Sequence, residues 1–307
     1  MKQQVIDLWK ESFNDSDEFI DLFFSRVYQE KNTLTISKNG RVIAALQIIP
    51  YEMTYCGTNV PVGYICGVCI SPAERGKGWM GKLMQQAIDE MNRRNYALTT
   101  LIPASDWLFD YYTRFGYTTI FDYSEEIHTA SVRKENHSLQ FAPLSERSFD
   151  HFYDYYNRIQ QKKNCTILHA AYDLETIWKD CYLDKGNIWI ISDHDQIVGS
   201  ALAVPDNDTS IFIKEIMYEN TEIKTILIQS ILNHFQKQTA TVRVPPTPMN
   251  SVPYGMAQIL NKKLMMGLYS SFHKKNINIL DCLQTIEQTK QLLLYKERKA
   301  FMNLMMD

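Results

Sequence analysis

Apolar positions along the first third of the chain change period several times. From Asp7 to Tyr28, Leu8, Trp9, Phe13, Phe19, Ile20, Leu22, Phe23 and Val27 recur at helical spacing, and Asn14-Asp15-Ser16 interrupts them with a natural N-cap. The spacing predicts helix, break, helix. The period then shortens to that of strands. "TLTISKNGRVIAALQIIPYEM" holds two β-rich runs around Asn39-Gly40, a strong short hairpin signal, and "VPVGYICGVCIS" reads as a further strand. Between Gly81 and Asn95 the helical period returns: Leu83, Met84, Ala87, Ile88 and Met91 fall on one face, away from Lys82, Gln85, Glu90 and Arg93. "ALTTLIPA" reads as a buried strand, and "SDWLFDYYTRFGY" as a short helix with Ser105 at its N-cap and Gly116 at its stop.

The polar segment "SVRKENHS", Ser131 to Ser138, reads as a linker. Beyond it the same order returns: the tyrosine-rich helix "FDHFYDYYNRIQQKK", a helix from Asp173 to Leu183, a hairpin turning at Asp193-His194-Asp195, the strand "TSIFIKEIMYE" and the helix "TEIKTILIQSILNHFQKQ". This is a duplication of architecture without residue-level identity. "VPPTPMNSVP" reads as loop, "YGMAQILNKKLMMGLY" as strand then helix, and the last stretch as helix with an apolar end. The expected units are 1–132, 139–252 and a short C-terminal segment, 253–307.

Composition narrows the class. With 307 residues and 45% hydrophobic content the chain can bury two ordinary cores. A net charge of −3 argues against a nucleic-acid binder. No apolar run reaches the ~18 residues of a membrane span, and no apolar signal core follows Met1. Six cysteines are too sparse for a disulfide scaffold, so the expectation is a cytoplasmic protein with reduced thiols. The seven histidines lack metal-ligand spacing, and no metal is expected.

Two rival signals share the segment Ile65 to Met84. Cys66-Gly67-Val68-Cys69 has the spacing of a chelating or redox pair, but its neighbours predict a strand, on which residues three apart point to opposite faces. Plain buried thiols are expected. Arg75-Gly76-Lys77-Gly78-Trp79-Met80, between that strand and an amphipathic helix, has stronger context. Unpaired amides at a helix start carry partial positive charge and suit phosphate oxygens, and the glycines permit close approach. Neither a Walker A loop nor a G-x-G-x-x-G fingerprint is present. The second half passes from strand to helix through Tyr218-Glu219-Asn220-Thr221-Glu222, whose two acids would repel a diphosphate.

"VCISPAERGKGWMGKLM" followed by "LIPASDWLFDYYTRFGY" resembles the GCN5-related N-acetyltransferase (GNAT) superfamily over about Glu11 to Tyr123. There an R-x-x-G-x-G/A loop after the fourth strand holds the pyrophosphate of acetyl-coenzyme A. Met80 replaces the usual small residue, with Gly81 after it. That variant, the "YYTRFGY" helix and the inert second unit resemble the enhanced intracellular survival (Eis) type, whose third, sterol-carrier-like domain would here be truncated.

The resemblance implies an α/β (α+β) fold of tandem GNAT units with mixed sheets, the second degenerate, and a short C-terminal appendage. It implies that Val68, Cys69 and Ile70 offer main-chain groups to the acetyl and pantetheine parts. Arg75, Gly76, Lys77, Gly78, Trp79, Met80 and Gly81 would hold the pyrophosphate. Tyr112 would protonate the departing thiolate, a role a phenol can fill, with Tyr111 and Tyr117 near enough to be confused with it. The α-carboxyl of Asp307 would be the base, with Glu52 and Asp106 as fallback carboxylates. The implied activity is transfer of acetyl from acetyl-CoA to a primary amine of a small molecule or peptide by direct attack. A homo-oligomer is also implied. The rival reading is an acyl-CoA-binding sensor without turnover.

Overall fold

The computed structural model describes residues 1–131, 139–247 and 250–273, with Leu293 and Met302. Helices α1 (Lys2–Ser12) and α2 (Asp17–Arg26) open the chain. Ser16 makes the break between them, its Oγ accepting from the Phe19 amide at 3.1 Å. Strands β1 (Thr33–Lys38) and β2 (Arg41–Tyr55) meet at Asn39-Gly40, whose φ values of 52° and 78° suit a tight two-residue hairpin. Then come β3 (Thr58–Ile70), α3 (Trp79–Arg93), β4 (Leu98–Leu101), α4 (Asp106–Thr113) and β5 (Thr118–Thr129). The second half holds β6 (Leu139–Pro143), α5 (Phe149–Gln160), β7 (Ile167–Leu168), α6 (Ala171–Leu183), β8 (Asn187–Asp193), β9 (Gln196–Pro205), β10 (Ser210–Tyr218), α7 (Thr221–Phe235), β11 (Thr239–Val244), β12 (Val252–Ile259) and α8 (Lys262–His273). The linker, but for Ser131, lies outside the described residues.

All the strands join one mixed sheet in the order β1-β2-β3-β4-β12-β5-β11-β10-β9-β8-β6, with β7 on β2. Among the described residues only β3–β4 and β10–β11 pair in parallel. The run β8-β9-β10-α7-β11 follows the same order as the run β1-β2-β3-α3-β4. Strand β5 joins the halves. Its first part, to Tyr123, pairs with β12, and Ser124 to Thr129 pair with β11. The segment read as a C-terminal appendage supplies β12 to the middle of the sheet, where Met256 stands opposite both Leu101 and Thr119.

Three apolar clusters follow from the alternation. On one face Leu83, Met84, Ala87 and Met91 of α3 pack on Ala44, Leu46 and Ile48 of β2. On the same side of the other half, Leu227, Ile228, Ile231 and Leu232 of α7 pack on Ile211, Ile213 and Val242. On the opposite face a single cluster runs from Trp9 and Phe23 through Tyr51 and Tyr64 to Tyr156 and Trp178, where the aromatic stripe of α5 is core.

Candidate active site

Strands β3 and β4 run in parallel from Val62/Leu98 to Ile65/Leu101, where β4 ends. Strand β3 continues to Ile70, still held on its other edge by β2 through Ala45↔Cys69 and Ala44↔Ile70. Among the described residues no strand pairs with the β4-facing edge of Val68 to Ile70. Peptide groups in such a position call for a partner with strand-like donors and acceptors.

The divergence coincides with a bulge. The pairing shifts between Ala45 and Gln47, and Gly67 takes up the extra residue at φ +56°. A Cβ at Gly67 would lie 2.2 Å from the Trp9 ring and 2.3 Å from Gln47 Oε1. Trp9 is itself fixed, donating Nε1–H to Asp15 at 2.7 Å among the rings of Phe13, Phe23 and Phe24. The bulge corrects one expectation. Because it adds a residue, Cys66 and Cys69 stand opposite Gln47 and Ala45 and share a face. They still lack the makings of a redox or metal centre. Burial pushes the Cys69 thiol up to about 12, and its Sγ–H points at the Ala45 carbonyl, 3.7 Å away. Among the described residues no group of three His, Cys, Asp or Glu could hold a metal.

After Ile70 the chain turns through Pro72–Glu74 into the glycine loop. Ser71 secures the turn, donating its amide to Ile43 and its hydroxyl to Glu11. Gly76 and Gly78 have φ of 76° and 81°, and a side chain at either would meet open space, so it is backbone conformation that selects glycine. Gly78 is the N-cap of α3 and has no side chain to cap it, leaving the amides of the first turn to another acceptor. Arg75 reaches back to the Ile70 carbonyl at 3.4 Å, and Trp79 and Met80 pack on the core.

Glu74 went unnoticed in the sequence. Its carboxylate accepts from Lys38 at 3.0 Å and Trp79 Nε1 at 3.1 Å, with Lys77 Nζ 3.2 Å away. The Lys38 contact first, then Lys77 and Trp79, lowers its pKa from 4.5 to about 2. It fixes the Trp79 indole and holds Lys77 beside the loop.

Helix α4 lies against the first turn of α3. From the position of a Gly81 Cβ, Phe115 Cζ would be 3.7 Å away and the Tyr111 hydroxyl 3.9 Å. Tyr112 is 5% exposed and makes no hydrogen bond among the described residues. Burial first, and Tyr111 second, pushes its phenol above the ordinary range, so it stays protonated at neutral pH. The other tyrosines differ. Tyr117 is fully buried with its hydroxyl 2.9 Å from Thr99 Oγ1, and Tyr111 meets Trp107 edge-on and Phe115 at a tilt.

Glu52 stands opposite Pro61 and accepts from Asn59 at 3.0 Å. That is nine residues, ~30 Å, along β3 from Ile70, so it is not a base for this crevice. Asp106 sits in the first turn of α4, at the crevice end of the sheet. Asp307 lies outside the described residues. Met302 is buried against Gly255 of β12. A separate groove of about 530 Å³ lies between α1, α2 and α6, lined by Lys2, Glu18 and Asp21 among others, and shares no residue with the crevice. Among the described residues no helix is long and apolar enough to cross a membrane.

Comparisons with known proteins agree with this geometry. Residues 2–120 match the model of an acetyltransferase (GNAT) domain. No curated protein matches the chain by sequence. Among solved structures, a probable N-acyltransferase from Enterococcus faecalis superposes with a TM-score of 0.71 at 18% identity, over 87% of this chain and 72% of that one. Eis1 from Mycobacterium abscessus gives 0.66 at 11% identity, over 87% and 73%. The N-myristoyltransferase of Saccharomyces cerevisiae, solved with bound myristoyl-CoA, gives 0.53 at 10% identity, over 83% and 79%. The forked sheet and the glycine loop fall in one stretch with the family match: residues 2–120 match an acetyltransferase (GNAT) domain, which supports an acyltransferase.

Proposed function

We propose that the protein transfers acetyl from acetyl-CoA to a primary amine by direct attack, without a covalent enzyme intermediate. The observation that carries this reading is the conjunction of an uncapped α3 N-terminus behind Gly76 and Gly78 with a β3 edge, Val68 to Ile70, that no strand joins among the described residues. The first suits a diphosphate and the second the amide groups of pantetheine. The myristoyl-CoA bound by the yeast relative is a ligand of the same chemical kind. In this reading Val68, Cys69 and Ile70 lie along the pantetheine, and the loop from Arg75 to Gly81 holds the phosphates.

The amine nitrogen attacks the thioester carbon, the C–S bond breaks, and Tyr112 gives its proton to the departing thiolate. Its burial keeps that proton available across the neutral range. The amine's proton passes to a carboxylate, in our proposal that of Asp307. Asp307 follows the anchored Met302 by five positions, a reach of at most ~17 Å. Most of the rate comes from holding thioester and amine together. The acceptor is an amine-bearing small molecule or peptide, and self-association, a cytoplasmic setting and the absence of nucleic-acid partners belong to the same proposal.

Substituting Tyr112→Phe tests the assignment against the sensor reading. Thiol release from acetyl-CoA with an amine panel should fall about 10²- to 10⁴-fold while calorimetric CoA binding is unchanged. Binding without turnover in the unsubstituted protein would favour the sensor.

A further inference from the structure

Arg243, on β11, is held in an unusual setting. Its guanidinium carbon lies 4.5 Å from the Tyr123 ring centroid, 4.6 Å from that of Tyr254 and 5.3 Å from that of Phe212. Tyr123 and Tyr254 are in edge contact with each other, 5.6 Å apart. The three rings come from β5, β12 and β10, so strands of both halves clamp one cation. Stacking fixes the plane of a guanidinium but leaves its N–H groups unserved. Here Nε is buried without a hydrogen-bond partner, and the terminal nitrogens make no hydrogen bond or ion pair among the described residues. Glu125 stands directly opposite Arg243 in the β5–β11 pairing, yet it is exposed and forms no ion pair with it. Packing alone is better served by an apolar side chain, since burying unpaired donors costs free energy.

The position is also informative. Tyr254 and Tyr123 lie beyond the Leu101↔Met256↔Thr119 row, on the side toward which β3 runs on through Cys66 to Ile70. Strand β12 is two places from β3 in the sheet, ~10 Å before the strands diverge. Arg243, Phe212 and the α1–α2 layer share the face that carries Cys66 and Cys69.

We infer that Arg243, clamped by Tyr123, Tyr254 and Phe212, anchors an oxyanion of the acceptor, so that the acceptor class is amines carrying a carboxylate ~10–15 Å from the reacting nitrogen. This rests on the acyl-transfer reading above. The planar fork of a fixed guanidinium matches a carboxylate with two hydrogen bonds. The span is that of a short extended peptide, three or four residues long.

The test compares tetra-alanine bearing a free C-terminus with its C-terminal amide, in thiol release and in calorimetric titration of the CoA-loaded protein. We expect the free acid to be favoured about 10-fold or more in kcat/KM, chiefly through KM, and Arg243→Met to abolish that preference while turnover of the amide is kept. Arg243→Lys, which keeps the charge and loses the fork, should retain only part of it. Equal use of acid and amide by the unsubstituted protein overturns the anchor and leaves acyl transfer standing. Absence of turnover with every amine overturns the parent reading, and the anchor with it.

Discussion

The two halves of this molecule solve the same backbone problem in opposite ways. In each, a strand pairs in parallel for four residues, meets a bulge just after the last pair and runs on toward a helix: Ile65↔Leu101 and Gly67 in β3, Ile213↔Val242 and Lys214 in β10. In the first half the helix that follows is uncapped behind two positive-φ glycines. In the second, Asn220 caps α7, its side chain accepting from the Ile223 amide at 3.0 Å. A capped helix start has used its donors internally, and an uncapped one keeps them for a ligand. The divergence differs too. Among the described residues no strand joins the β3 edge beyond the fork, whereas the ground beyond Val242 holds Arg243 among its three rings. Shared architecture thus carries different chemistry, decided by a few residues at each strand-to-helix junction.

The bulges offer the sharpest way to break the comparison. Gly67→Ala sets a Cβ into Trp9 and Gln47 at positive φ, and should lower stability by about 2–4 kcal/mol in urea unfolding. Lys214→Ala, at a bulge without positive φ, should change stability by less than about 1 kcal/mol. Next come the helix starts. Gly78→Asp places a carboxylate at the uncapped junction and should weaken CoA binding about 10- to 100-fold by calorimetry. Asn220→Ala should cost about 1 kcal/mol of stability and leave CoA affinity unaltered.

The smallest effect concerns Glu74, whose pKa falls from 4.5 to about 2 in the folded protein. A depressed carboxylate contributes stability that is present above its unfolded value and lost as pH falls toward its folded one. The difference in urea midpoint between the parent and Glu74→Gln should therefore be constant above pH 4.5 and shrink between pH 4.5 and 2. A difference that grows on acidification would contradict the assigned contacts.

Much of this organisation is legible in the sequence because it is local. Asn39-Gly40 dictates its own hairpin, Ser16 caps the helix beside it, and Gly76 and Gly78 declare a backbone that other residues resist. What stays hidden is long-range. The C-G-V-C spacing suggested diverging side chains because a strand was assumed regular, although Gly67 within a strand run is itself a bulge signal. Strand β12 reads correctly as a strand, yet nothing local says that it inserts between β4 and β5, more than 120 residues earlier in the chain. Glu74 and Arg243 went unnoticed because their partners, Lys38 for one and Tyr123, Tyr254 and Phe212 for the other, come from distant segments.

The central claim is that one strand-to-helix junction of the two grips a diphosphate and presents a thioester to an amine. Isothermal titration of the full chain with CoA tests it most directly through stoichiometry. The account predicts one CoA per chain, with binding weakened by Gly78→Asp and unaffected by Asn220→Ala. No heat of binding, two molecules per chain, or a dependence on Asn220 in place of Gly78 would contradict it.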